Sequence, residues 1–158
     1  MALRSLRLEG DPILHKVSKP VAKIDDKIHQ LLDDMLETMY HENGVGIAAV
    51  QLGVLKRILI IDLAEEDSEL VEFIDPEIVS SEGSQEGWEG CLSVPSLQGL
   101  VERPAITVVR ATNRHGEEFE LACSERMAVV FNHEFDHLNG VLYTDRATET
   151  RFKEADED

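Results

Sequence analysis

The sequence predicts one α+β domain spanning residues 1–158. It should hold antiparallel β-sheets packed around a central C-terminal helix, with one further helix near the N-terminus. Three observations lead there. Two segments with apolar residues at three-and-four spacing stand near opposite ends of the chain. The residues between them carry strand signals, without the strand–helix alternation of a parallel doubly wound sheet. A chain of 158 residues suffices for one buried core and falls short of two domains.

Taken in order, DPILHKVSKPVAK at 11–23 has two prolines and little periodicity, and reads as an extended arm. The first helix follows. Asp25 or Asp26 can cap it, and Ile28, Leu31, Leu32, Met35, Leu36 and Met39 form its apolar stripe. Asn43 and Gly44 can end it in the left-handed conformation. GVGIAAVQLG at 44–53 leaves backbone bare for close approach. RILIIDL at 57–63 and LVEFID at 70–75 are strand-like. GSQEGWEGCLSVP reads as turn-rich. PAITVVRAT and EEFELAC flank NRHG, which predicts a hairpin over about 104–123. Ser124 can cap a second helix running from about 125 to 139, closed by Gly140. From about residue 145 the chain is a short acidic tail, expected to be flexible.

Composition narrows the function classes. The formal net charge is −17, from 32 acidic and 15 basic residues. Such a surface repels phosphate backbones, and no local basic patch offsets it, so no direct nucleic-acid partner is expected. No apolar run is long enough to cross a membrane, and the N-terminus lacks the h-region of a signal peptide. Two cysteines are too few for a disulfide framework, which points to a reducing cytoplasm.

The chemistry gathers in FNHEFDHLNG at 131–140. On a helix, His133 and His137 share one face a turn apart, so both imidazoles can reach one ion. Glu134 lies beside that ion, where a general base belongs. A random chain of this composition gives about 0.03 accidental H-E-x-x-H matches, so the motif alone is suggestive. A third protein ligand is needed. A metzincin would place a histidine where this chain has Tyr143. Cys91, in a turn after Gly90, is the best remaining donor, although alone it reads as a small buried hydrophobe.

Three stretches together resemble the peptide deformylase family: GVGIAAVQ, EGCLS and HEFDH, in that order. The resemblance runs from DPILHKVSKPV to about Tyr143. It implies a metal-dependent hydrolase that removes the formyl group from N-formylmethionyl nascent peptides. Cys91, His133 and His137 would hold one divalent ion, Fe²⁺ in the cell, with Zn²⁺, Ni²⁺ or Co²⁺ possible in preparations. Water would be the nucleophile, with Glu134 as general base and then acid. The Gln51 amide and the Leu92 backbone N–H would stabilise the oxyanion. Val45, Gly46, Gly90, Val129 and Val130 would line the substrate site. Glu89 and Arg103 would pair behind the metal loop, and Asp136 would steady a ligand or that loop.

Two departures from the family pattern stand out. Asn132 occupies a usual glutamine position, with shorter reach. Only RATETRFKEADED follows the metal helix, where many bacterial members carry a further helix that docks on the ribosome. Docking through this tail is not expected, although the vicinity of the ribosome remains the natural place of work. The rival readings are an H-E-x-x-H zinc endopeptidase and a non-catalytic binder of N-termini.

Overall fold

The computed structural model describes residues 2–153. The first helix, α1, spans Asp26–His41. Asp25 caps it by accepting a hydrogen bond from the Ile28 N–H at 3.2 Å. Asn43 ends it at φ 59°, and the Gly44 N–H reaches back to the Met39 carbonyl at 2.9 Å.

A five-stranded antiparallel sheet follows, in the order β1-β2-β3-β6-β7. Its strands are β1 (Gly46–Ala48), β2 (Ile58–Ile61), β3 (Val71–Glu82), β6 (Ile106–Thr112) and β7 (Glu118–Ser124). β2 is buried along its whole length because both faces are covered. Ile58 and Ile60 pack with Leu32, Met35 and Met39 of α1. Leu59 and Ile61 pack with Ala128, Phe131 and Leu138 of α2 (Glu125–Leu138). The period of two thus divides one strand between two cores. The hairpin expected around NRHG is the β6–β7 pair.

A second sheet, β4-β5-β8, covers the other side of α2. It consists of β4 (Gln85–Cys91), β5 (Val94–Arg103) and β8 (Glu149–Phe152). A short helix, α3 (Tyr143–Arg146), leads into β8. Tyr143 packs there with Val94 and Val101 in a small third core. α2 therefore sits between two antiparallel sheets, which is the predicted arrangement.

Two local expectations need correction. The turn-rich reading of GSQEGWEGCLSVP gives way to β4 and the start of β5. The glycines are tolerated because nothing lies within 4 Å of a Cβ built at Gly87 or Gly90, and cross-strand pairing outweighs their low strand propensity. Beyond α3, the first part of the tail forms β8, which pairs with β5 from Leu97↔Phe152 to Leu100↔Glu149. The acidic stretch 154–158 lies outside the described residues. Ser124 does precede α2, but its side chain makes no capping bond.

Candidate active site and metal centre

The α2 helix carries the motif with its ligand face turned inward. His137 is fully buried, and His133 and Glu134 nearly so. Cys91 arrives from the end of β4, where a register irregularity between Glu89 and Cys91 turns the thiol toward the helix. The Cys91 Sγ lies 3.3 Å from the His137 Nε2. One donor atom from each of Cys91, His133 and His137 falls within 4.8 Å of the other two. A sulfur and two imidazole nitrogens converging this way form a three-ligand set with one side open, the donor chemistry of a catalytic transition-metal site.

The surroundings fix His133 in particular. The His133 Nδ1 pairs with the Glu89 Oε1 at 3.0 Å, which leaves its Nε2 for the ion. Tyr143 stacks on the same ring, centroids 5.7 Å apart. It stands where a metzincin has its third histidine, and here it supports a ligand. Glu89 is itself gripped by Arg103, at 2.8 Å through both Nε and Nη2. The Arg103 Nη1 donates to the Asp136 Oδ2 at 2.7 Å. Arg146 closes on the same Asp136 carboxylate at 2.6 and 3.0 Å. Glu89, Arg103 and Asp136 thus form one buried ion cluster behind the ligands.

These charges set the protonation states of the ion-free site. Burial opposes the charge on Glu89, but hydrogen bonds from Arg103 and His133 win and hold its pKa below the ordinary value. Burial opposes charging of His133, yet hydrogen bonds with Cys91 and Glu89 hold it well above the ordinary histidine range. His137 is pushed well below that range by burial and by the charges of His133 and Arg103. Glu134 is raised to about 7, first by burial and then by Glu89, against the pull of His133 and Arg103. Its Oε1 is buried without a hydrogen-bond partner.

A cavity of about 940 Å³ opens over this centre, with Val45, Gly46, Gly90, Leu92, Val129 and Val130 among its walls. All the residues expected to bind substrate therefore face one space with His133 and Glu134. Gln51 also lines it, its Nε2 reaching the Cys91 Sγ at 3.6 Å. The close approach of β1 to α2 explains Gly46: an added Cβ would stand 2.8 Å from the Val130 Cγ1 and 2.9 Å from the Glu134 Oε2. Gly46→Ala is accordingly expected to displace the Glu134 carboxylate and lower kcat at least tenfold while the protein still folds. Steady-state kinetics beside a thermal melt checks this.

Asn132 sits apart from the ligands. Its amide donates to the Thr107 hydroxyl at 2.9 Å and the Ala128 carbonyl at 2.8 Å, tying α2 to β6. Its shorter reach is accommodated there. Sequence reasoning passed over Ser93 and assigned Tyr143 no role. Ser93 had a signal, its place at the end of EGCLS, but Tyr143 meets His133 only through the fold.

The profile of the family described as Polypeptide deformylase matches residues 4–153. A peptide deformylase of Acetivibrio thermocellus is 53% identical over 157 residues, covering 99% of this chain and 89% of its own length. The crystal structure of a peptide deformylase from Legionella pneumophila superimposes with a TM-score of 0.89 at 40% identity, covering 93% of this chain and 87% of that one. A Met-Ala-Ser-bound class I type b peptide deformylase from Acinetobacter baumannii gives 0.85 at 34% identity, covering 92% and 98%. With an ion-ready Cys-His-His set, a buried carboxylate beside it and relatives matched along nearly their whole length, the chain belongs to the polypeptide deformylase family.

Proposed function

We propose that this chain removes the formyl group from the N-terminus of N-formylmethionyl peptides through Glu134, Gln51, Leu92 and an ion held by Cys91, His133 and His137. The observation carrying the residue assignment is the partnerless Glu134 oxygen beside that donor set, on the wall of an open groove. A divalent ion in such a site supplies Lewis acidity, acidifying water and polarising an amide carbonyl. Ferrous iron is the ion we assign in the cell, on the resemblance to the family; a thiolate with two imidazoles would equally hold zinc, nickel or cobalt.

The chain's own groups do the rest. Glu134 takes a proton from the attacking water and returns it to the departing amine nitrogen. Its raised affinity for a proton, near neutrality in the ion-free site, suits both directions of transfer. The Gln51 amide and the Leu92 N–H donate to the oxygen on which charge develops. β1 lies at the edge of its sheet, so its backbone is available to an extended peptide. Main-chain pairing of that kind tolerates many sequences, and the apolar walls at Val129 and Val130 accept the methionine side chain. Formate and a free N-terminus are the products. Among the described residues no helix is long and apolar enough to cross a membrane. We place the enzyme in the cytoplasm, acting on nascent chains near the ribosome.

The test is formate release from formyl-Met-Ala-Ser by anaerobic, Fe²⁺-loaded protein. Wild type should release formate, and Cys91→Ser should lose both metal and turnover. An H-E-x-x-H endopeptidase would instead cut internal bonds of an unformylated peptide and keep its metal in Cys91→Ser. That pair of results would refute the assignment.

A further inference from the structure

Gln51 is useful to an oxyanion only if its NH₂ faces the ion site. A side-chain amide has two unlike ends, and turned over it would offer a carbonyl oxygen to the developing negative charge. The structure holds the amide at each end. Its Oε1 accepts from the Ala48 N–H at 2.9 Å. Its Nε2 donates to the Ser93 Oγ at 3.2 Å and points to the Cys91 Sγ. Ser93 is fully buried and Gln51 is 1% exposed, so water does not compete for these bonds.

Both residues are also held from behind by one segment. The Arg7 N–H donates to the Gln51 carbonyl at 2.7 Å, and the Glu9 N–H to the Ser93 carbonyl at 2.8 Å. The same segment is moored to α1, where the Ala2 N–H reaches Asp34 at 2.8 Å and the Arg4 N–H reaches the Thr38 hydroxyl at 3.0 Å. Residues 2–9 therefore run as a strap from α1, across the turn that carries Gln51, to the loop that carries Cys91 and Leu92.

We infer that Ser93, braced by this N-terminal strap, is a positioning residue that anchors the Gln51 amide beside the ion site, in the NH₂-first orientation that the donor-only Ala48 N–H sets. The inference rests on the oxyanion role proposed for Gln51. It assigns two further roles: the Ser93 hydroxyl anchors the donor, and the Arg7 and Glu9 backbones set the spacing between the Gln51 turn and the metal loop.

The decisive experiment is a double-mutant cycle on metal-loaded protein. Ser93→Ala removes one oxygen atom, and should lower kcat about tenfold with KM and metal content little changed. Gln51→Ala should lower kcat further, by roughly 10²–10³-fold. In the Gln51→Ala background, Ser93→Ala should then cost nothing more. A second readout needs no metal. The Gln51 side-chain NH₂ signals, identified by their absence in Gln51→Ala, should exchange with solvent faster in Ser93→Ala. Glu9→Pro, which deletes the strap's N–H, should reproduce the kcat loss, and Glu9→Ala, which keeps it, should match wild type. An equal Ser93→Ala loss in both backgrounds, or an unchanged kcat in Ser93→Ala, overturns the inference, and the cycle decides even if Glu9→Pro fails to fold. An unchanged kcat in Gln51→Ala removes the oxyanion role itself, while formate release by wild type would still stand.

Discussion

Glu134→Gln is expected to keep its metal and to lose turnover by roughly 10²–10⁴-fold, the range for removing a positioned general base and acid. Glutamine preserves shape at a site where an added Cβ on Gly46 would crowd the side chain. It cannot accept and return a proton. Cys91, His133 and His137 are untouched, so metal content should match wild type. The pH dependence follows from the direction of the shift. Burial raises the carboxyl to about 7 in the ion-free site, so it binds a proton over the range where a free glutamate has lost it. A bound cation favours the carboxylate and moves that titration lower. The base is needed deprotonated, so wild-type kcat/KM should fall toward acid with its midpoint below 7. In the Gln variant, the residual rate should lack that limb. A Glu134→Gln protein with near wild-type turnover would remove Glu134 from the mechanism.

Arg103→Met should give the largest loss of stability. Arg103 is 4% exposed, and it is the shared cation of Glu89 and Asp136. Removing it leaves Glu89 buried beside His133 alone, while Asp136 keeps Arg146. Breaking a buried pair in this way costs about 3–5 kcal/mol, because a charge stays behind without compensation. The site should suffer too. Glu89 would no longer be held to orient His133, so metal affinity should drop about 10–100-fold.

Two measurements check this: urea unfolding of the ion-free protein, and a metal titration. The pH profile of stability adds a third. Glu89 has a folded pKa below its reference of 4.5, so its stabilising contribution is present above that value and is lost as pH falls through the folded one. Arg103→Met should flatten that acid dependence. A loss under about 1 kcal/mol, with metal affinity intact, would show the cluster to be dispensable.

Much of the site was legible from residues alone because it is local. His133, Glu134 and His137 sit on one helical turn, and helix geometry fixes their relative directions whatever the rest of the chain does. The stripe of α1 and the alternation of the β6–β7 hairpin are likewise short-range patterns, written at periods of 3.6 and 2. Cys91 was different. The need for a third donor made it the best remaining candidate, but no local pattern ties it to the helix, and the resemblance of EGCLS to a family pattern is what strengthened the assignment.

Tertiary structure decided what depends on partners distant along the chain. β4 carries glycines at 87 and 90 and becomes a strand because β5 pairs with it. β8 arises from a polar tail because β5 offers it a second edge, and Phe152 remains 79% exposed even so. Tyr143 gains its place against His133 only when α3 folds back over α2. Arg103 joins Glu89 and Asp136 across separations of 14 and 33 residues, and Glu9 reaches the Ser93 carbonyl through its backbone N–H. A backbone hydrogen bond depends on position and hardly at all on side-chain identity, so it leaves little trace in the sequence. The sequence by itself determined the helix that presents the chemistry. The fold decided which groups hold that chemistry still, because such bonds exist only once both ends have been brought together.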